Sequence, residues 1–285
     1  MNTDADGPLP NPNLSPPIIK SITLIRHGVA LHNICDEMTG AKPNVLDPKF
    51  TDSPLTRHGE LQAVQLGERL KRIGLVRCYH EDSGRTSECS TVGCRSSSDA
   101  DTASPIELVV CSPLTRCLQT ASHIFPSYFR NSHPPPDTTS TDVHVLNRNC
   151  TVCCHPDVRE AYGKNYSDKR SPLCQLKTKF PTVQYHPSIT EHDIDWQPHT
   201  REACHDVVRR VHNFFVWLLQ QPHNNVAIVT HGVWMECALL NYCPEVLQFG
   251  KKRVYNCDVY SGTLLGSSDG RSIMLTDVEQ ITFDE

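Results

Sequence analysis

Two stretches of this chain have the same form, an apolar run that ends in histidine and glycine. The first is Ile22-Thr-Leu-Ile-Arg26-His27-Gly28, and the second, much later in the chain, is Val226-Ala-Ile-Val-Thr230-His231-Gly232. Short apolar runs that end in glycine are typical of buried strands. Both imidazoles are therefore predicted at the ends of strands, and the first has a guanidinium beside it.

Helical patterns separate the apolar runs along the chain. Apolar residues at helical spacing predict a helix from Thr56 to about Ile73, whose apolar positions are Leu61, Val64, Leu66 and Leu70. A second helix is predicted to follow Ser112 as its N-cap, with Pro113 as its first residue. Two more helices are predicted over 200–219 and 233–241. Further strands are predicted at 106–111, 143–146, 254–265 and 272–276.

Alternating strands and helices predict an α/β fold, a three-layer αβα sandwich with a mostly parallel central sheet. Ligands of such sheets bind beyond the carboxyl ends of the strands, which is where Arg26, His27 and His231 are expected.

The chain is predicted to contain one domain, residues 18–285, behind a loosely docked or disordered tail at 1–17. Polar insertions are predicted near 77–105 and 127–141. Residues 29–55 are expected to form a long loop over the pocket, and residues 155–198 a variable cap region.

Composition excludes several classes of function. The chain has 285 residues and a net charge of −5, so no basic face for nucleic acid is expected. It lacks an apolar window long enough to span a membrane and an apolar leader, so a cytoplasmic location is expected. Without a leader, the 14 cysteines are expected to be reduced thiols. The oligomeric state is not predicted.

The residues at the strand ends suit the chemistry of a phosphate ester. Neutral imidazole is a good nucleophile near pH 7, and the planar fork of arginine binds two phosphoryl oxygens at once. His27 is therefore the candidate nucleophile, with Arg26 beside it and Gly28 allowing the backbone close to the ligand. Arg116, in the first turn of the helix after Pro113, is expected to reach over the strand ends, and His231 to bond a phosphoryl oxygen.

Glu160 is the candidate general acid, which requires a raised pKa through burial or a nearby negative charge. Glu37, Glu60 and Asp157 are alternatives for this role. His32 and the other histidines are expected to be solvent-facing or loop residues rather than catalytic ones.

Five motifs in the expected order resemble the histidine phosphatase superfamily, in the branch that includes cofactor-dependent phosphoglycerate mutases. They are Arg26-His27-Gly28 with Asn33, Leu55-Thr56-x2-Gly59-x2-Gln62-Ala63, Ser112-x-Leu114-x-Arg116-x2-Gln119-Thr120, Arg159-Glu160, and Thr230-His231-Gly232. The segments 159–171 and 195–202 are similar to phosphoglycerate mutase-like proteins of plants and fungi. The resemblance implies a phosphoglycerate mutase-like fold, a phosphohistidine intermediate on His27, no metal and no cofactor. It also implies Asn33 as a further phosphate contact, and a small phosphorylated metabolite or another phosphomonoester as substrate.

Three other interpretations remain open at this point. A phosphoglycerate mutase would need a basic grip on a second phosphate, for which Lys164, Lys169 and Arg170 are the nearby cations. A catalytically inactive relative would bind phosphate or a protein without turnover. The cluster Cys150-x2-Cys153-Cys154-His155 has the residue types of a zinc site but no second paired motif.

Overall fold

The computed structural model describes residues 16–35, 38–76, 106–131, 151–248, 253–267 and 270–283. Its strands are β1 (Ile18–Arg26), β2 (Leu108–Cys111), β3 (Val152–Cys154), β4 (Gln184–Tyr185), β5 (Asn225–Thr230), β6 (Val259–Gly266) and β7 (Ile273–Gln280). Its helices are α1 (Arg57–Arg72), α2 (Thr115–Ile124), α3 (Pro126–Asn131), α4 (Leu173–Lys179), α5 (Cys204–Leu219), α6 (Gly232–Tyr242) and α7 (Glu245–Gln248). Four single 3-10 turns occupy Leu31–Asn33, Pro48–Phe50, Pro156–Val158 and Tyr166–Asp168.

The seven strands form one sheet in the order β4-β3-β2-β5-β1-β6-β7. The first five are parallel to one another, and β6 and β7 add an antiparallel pair at one edge. In the register of β1 and β5, Arg26 lies opposite Thr230, so the two strands end side by side. The predicted mostly parallel sheet is confirmed, and it brings His27 and His231 to the same edge.

Helices cover both faces of the sheet, which gives the predicted three layers. On one face, α5 and α6 bury large aromatic side chains against the sheet, including Phe214, Phe215 and Trp234. On the other face, α1 and α2 pack through Leu66, Leu70 and Leu118. Each strand of the centre is buried on both faces, as expected for a parallel sheet covered by helices.

The buried face of α1 consists largely of small residues, which the sequence pattern did not indicate. Leu61 and Val64, predicted to face the core, are 45% and 41% exposed. Gly59, Ala63 and Gly67 are buried instead, together with Leu66 and Leu70. A Cβ on Gly67 would lie 3.0 Å from the Ile124 carbonyl oxygen, so the small residues let α1 approach α2 closely.

Several predicted boundaries differ from the observed ones. Helix α2 begins at Thr115 rather than at Pro113, and α5 begins at Cys204, so residues 200–203 are not helical. Helix α3 occupies residues at the start of the second predicted insertion. The tail at 1–15, the insertion at 77–105, most of the second insertion and the predicted strand at 143–146 lie outside the described residues.

Within the ranges that the structure describes, no helix combines the length and the apolar character needed to cross a membrane. The ten cysteines in those ranges are all free thiols.

Candidate active site

The ends of β1 and β5 hold two imidazoles close together. His27 and His231 directly follow the two strands, and their ring centroids are 5.1 Å apart in an edge-to-face arrangement. Both residues are almost completely buried. The backbone N–H of His27 donates to the Thr230 carbonyl at 3.0 Å, so the pairing of the strands continues one residue into the site.

The hydrogen bonds of His27 determine which ring nitrogen carries the proton. Its Nδ1 lies 2.7 Å from the Gly28 carbonyl oxygen. Because a carbonyl only accepts, Nδ1 is the protonated nitrogen. Nε2 therefore keeps its lone pair and accepts from the Nε of Arg116 at 3.2 Å. Burial, and then the positive charges of Arg116 and Arg26, hold the pKa of His27 well below its usual value, so the ring is neutral at pH 7.

Arg116 lies at the centre of the site, with its side chain buried in the first turn of α2. Its guanidinium donates to the Ser167 carbonyl at 2.6 Å, to Asp168 Oδ1 at 3.0 Å and to His231 Nδ1 at 3.1 Å. With the bond to His27, Arg116 contacts both histidines at once. The arginine is therefore a cation fixed between the two rings.

His231 is neutral and oriented by its neighbours. Since Nδ1 accepts from Arg116, the other nitrogen carries the proton, and Nε2 donates to the hydroxyl of Ser112 at 2.7 Å. Burial, and then Arg116, lower the pKa of His231 well below its usual value. Ser112 therefore orients the histidine and does not cap α2 as predicted; the N-cap position is Leu114.

Arg26 contributes a second cation whose hydrogen bonds are incomplete. One terminal nitrogen donates to the Val254 carbonyl. Its Nε is buried and has no hydrogen-bond partner among the described residues. A Cβ added to Gly232 would lie 3.3 Å from the guanidinium carbon, so the glycine after His231 makes room for Arg26.

Glu160 has the electrostatic surroundings of an acid. Burial, and then the negative charge of Asp168, raise the pKa of Glu160, while Arg201 and Arg116 act in the opposite direction. One carboxylate oxygen accepts from the Ala161 N–H at 2.9 Å. The charge of Glu160 in turn acts on Arg26, which connects this carboxyl to the histidine site.

The alternative acids are less suited to this role. Glu60 pairs with Arg57 at 3.2 Å on the outer surface of α1. Asp157 has its pKa raised to about 6, chiefly by burial, but the charges acting on it are those of Arg210, Glu202 and Asp195 rather than those of the histidine site. Glu37 lies outside the described residues.

Two buried arginines hold the segment that carries Glu160. Arg210 of α5 binds Glu202 through two bonds of 2.8 and 2.7 Å. It also donates to the carbonyls of residues 157, 159 and 160. Arg159 binds Asp193 at 2.9 and 2.6 Å. These paired contacts fix the backbone on both sides of the acid.

Gly28 and Asn33, predicted as substrate contacts, have clear structural roles. A Cβ on Gly28 would lie 2.6 Å from the Gly59 carbonyl oxygen, so this glycine lets α1 pack against the loop of the nucleophile. The Asn33 side-chain oxygen accepts from the Ala30 N–H at 3.0 Å and holds the turn after His27. Their contact with phosphate remains a prediction.

Asp168 is a site residue that the sequence did not single out. Its buried carboxylate bridges Arg116 at 3.0 Å and Arg201 at 2.6 Å. Burial alone would raise the pKa of Asp168, but the two arginines outweigh it and lower the pKa. The carboxylate is therefore ionised and balances one of the two cations that contact it.

Asp52 and His32 also lie near the site, and the sequence did not single them out. Asp52 reaches from the loop over the site to accept from the N–H and the hydroxyl of Thr115, at 2.8 and 2.7 Å, and so completes the start of α2. His32, predicted to be a solvent-facing or loop residue, is half-buried, with its ring centroid 6.0 Å from that of His27. No local sequence pattern identifies Asp52, because the groups that it binds are distant in the chain.

The predicted alternative of a zinc cluster is not supported by the positions of its cysteines. Cys153 and Cys154 are neighbours on β3 and face opposite sides of the sheet, in different apolar cores. The Nδ1 of His155 accepts from the Asp157 N–H at 3.2 Å, and Cys150 lies outside the described residues. In the described part of the chain, no group of three or more histidine, cysteine or acidic side chains could hold a metal ion.

Comparison with known proteins agrees with the motifs. Residues 148–272, which include Glu160 and His231, match the family model of the histidine phosphatase superfamily, branch 1. Phosphoglycerate mutase-like protein 1 of Arabidopsis thaliana is 26% identical over 261 residues, covering 87% of this chain and 82% of the relative. A second phosphoglycerate mutase-like protein of that plant is 23% identical, covering 85% and 83%.

A solved structure of similar extent is the ecdysone phosphate phosphatase of Bombix mori in complex with tungstate. It is 14% identical and covers 92% of both chains with a TM-score of 0.49. The family model and the two plant relatives confirm the resemblance of this chain to the histidine phosphatase superfamily, in its phosphoglycerate mutase-like branch.

Proposed function

We propose that the protein is a phosphomonoester hydrolase that acts through a phosphohistidine on His27. The observation that carries this proposal is the state of that ring. His27 is buried and neutral, its Nδ1 proton is held by the Gly28 carbonyl, and the lone pair of Nε2 points at Arg116. A neutral imidazole with an unprotonated Nε2 beside fixed cations suits attack on a phosphate ester.

In the first step, His27 Nε2 attacks phosphorus, an N–P bond forms, and the bond from phosphorus to the ester oxygen breaks. Arg116 gives up its bond to Nε2 and turns to the phosphoryl oxygens, which are better acceptors than imidazole. Arg26 Nε, which has no hydrogen-bond partner among the residues described, gains one in the same step. His231 remains held by Ser112 through Nε2 and keeps its position next to His27.

Glu160 supplies the proton to the leaving oxygen in this step. In the second step the same carboxylate takes a proton from water, which attacks phosphorus as the N–P bond breaks and releases inorganic phosphate. The raised pKa of Glu160, caused by burial and by Asp168, favours the protonated form that the first step needs.

Hydrolysis is favoured over a mutase reaction by the position of Arg170. This arginine was one of the cations available to grip a second phosphate. Its guanidinium donates instead to the carbonyls of Ser171 at 2.6 Å and Thr190 at 2.7 Å. A grip on a second phosphate through Arg170 would therefore have to break existing contacts.

Turnover of an aryl phosphate tests the proposal. The wild-type protein is compared with His27→Ala and with His212→Ala, a histidine of α5 whose Nδ1 lies 3.0 Å from the Tyr242 hydroxyl. We expect loss of turnover in His27→Ala only, and full activity in EDTA. Equal turnover by wild type and His27→Ala would refute the proposal, and loss of activity in EDTA would refute the metal-independent mechanism. Conversion of 3-phosphoglycerate without release of phosphate would favour a mutase.

A further inference from the structure

His32 lies in a turn that is fixed directly beside the proposed nucleophile. The 3-10 turn Leu31–Asn33 begins three residues after Gly28. Its first N–H donates to the Pro54 carbonyl at 3.0 Å, and Asn33 closes the turn through the Ala30 N–H. The ring of His32 is thereby placed with its centroid 6.0 Å from that of His27, at a tilt of 49°.

One nitrogen of this ring lacks a partner. His32 Nδ1 is buried, and no described residue forms a hydrogen bond with it. Buried polar atoms are almost always hydrogen-bonded, so an orphan nitrogen needs an explanation. Arg26, whose charge acts on His32, has a second buried nitrogen without a described partner, at Nε. Two unsatisfied nitrogens beside His27 are what a site for an oxygen-rich ligand would show.

The charges that face His32 are those of the pocket itself. Arg116 and Arg26 act to keep the ring neutral, and Asp168 acts against them. Burial, followed by Arg116, lowers the pKa of His32 to about 3. A neutral imidazole has one N–H to donate, and a phosphoryl oxygen is an acceptor only.

We propose that His32 is a phosphate-binding residue that donates a hydrogen bond from Nδ1 to a non-bridging oxygen of the phosphoryl group. The ring completes a set of donors around that group, with Arg116 and Arg26 as its charged members. The leaving oxygen is left to Glu160, because that carboxyl is the proton donor of the site. This inference rests on the proposed phosphatase function and names a further residue of its substrate site.

Inorganic phosphate, used as an inhibitor of aryl phosphate hydrolysis by the full-length protein, tests the inference. The variants are His32→Leu, which removes the donor, and His32→Gln, which keeps a polar N–H. His58→Leu replaces an exposed histidine of α1 and serves as the control. A lost hydrogen bond to a charged group predicts inhibition by phosphate weakened about ten- to hundredfold in His32→Leu. His32→Gln should recover most of the affinity, and His58→Leu should match wild type.

An unchanged inhibition constant for phosphate in His32→Leu would overturn the inference. It would do so even if the variant hydrolysed esters with poor leaving groups more slowly, because that result would point to a role in leaving-group departure rather than in phosphate binding. Full turnover in His27→Ala would instead refute the function on which the inference rests, so the two failures are distinguishable. Nitrogen NMR of the wild-type protein gives a second test that does not depend on the activity of a variant. Addition of phosphate should shift the Nδ1 resonance of His32, assigned by its loss in His32→Gln, and an unmoved resonance would overturn the inference.

Discussion

Replacing Asp168 with asparagine removes a negative charge from the centre of the pocket and hardly changes the size of the side chain. The carboxylate accepts from Arg116 at 3.0 Å and from Arg201 at 2.6 Å, and it acts on Glu160 as the strongest nearby charge. The substitution therefore has separate effects on stability, on phosphate binding and on the pH dependence of catalysis.

The stability effect follows from burial. The side chains of Asp168 and Arg116 are 4% and 1% exposed, so the replacement leaves a buried guanidinium without its charge partner. Removal of one partner of a buried pair costs about 3–5 kcal/mol. For a chain of this size the melting temperature should fall by roughly 10 °C. Phosphate should restore part of this loss and should bind more tightly, because Arg116 no longer shares its charge with Asp168.

The pH effect has a definite sign. Asp168 raises the pKa of Glu160, and the proposed mechanism needs Glu160 protonated, so activity is lost as pH rises through that pKa. In Asp168→Asn the pKa of Glu160 falls, and the loss of kcat/KM should occur at lower pH than in wild type. The assay is aryl phosphate turnover across pH.

Asp193→Asn is the matched control for this experiment. Asp193 is also buried and binds Arg159 through bonds of 2.9 and 2.6 Å, so a similar loss of stability is expected. Its pH profile should keep the wild-type midpoint on the basic side. The same midpoint in Asp168→Asn and wild type would refute the assignment of Asp168 as the residue that keeps Glu160 protonated.

Three further predictions concern packing, orientation and acid stability. Gly28→Ala places a Cβ 2.6 Å from the Gly59 carbonyl and should cost about 1–3 kcal/mol in denaturant unfolding, which an unchanged midpoint would contradict. Arg210→Lys loses the planar guanidinium that binds Glu202 through two hydrogen bonds. In aryl phosphate turnover, kcat should fall roughly ten- to hundredfold with little change in KM. A raised KM at constant kcat would argue against a role of Arg210 in orienting Glu160. Burial, and then the charge of His186, lower the pKa of the buried His155 well below 6.5. The folded ring therefore stays neutral, while the ring in the unfolded chain takes up a proton as pH falls below 6.5. Between pH 6 and 5, His155 should therefore lower the free energy of unfolding by about 1.4 kcal/mol per pH unit. The free energy of unfolding of His155→Gln should fall less steeply with pH, and equal slopes in the variant and wild type would contradict the reasoning.

The central sheet and the two strand-end histidines follow from local patterns in the sequence. β1 and β5 are short apolar runs that end in histidine, and parallel pairing makes their ends meet. Arg116 is likewise predictable, because only a few residues of sequence separate it from the strand that precedes its helix. Such features depend on residues near one another in the chain.

The contacts that tune the site were not predictable in this way. Asp168 pairs with Arg116 and Arg201 across large separations in sequence, and Asp52 completes a helix that begins far from it. A carboxylate in an aperiodic segment has the same local appearance whether it is solvated or buried between two arginines. The position of the turn that carries His32 likewise depends on a contact outside its own segment, from the Leu31 N–H to the Pro54 carbonyl.

Identification of a phosphorylated residue tests the central claim most directly. The wild-type protein is mixed with an aryl phosphate, quenched in base to preserve phosphohistidine, digested and examined by tandem mass spectrometry. The mechanism predicts a phosphoryl group on His27 that appears during turnover, decays when substrate is exhausted and is absent from His27→Ala. Turnover without phosphorylation of His27, or phosphorylation of another residue that supports turnover in His27→Ala, would contradict it.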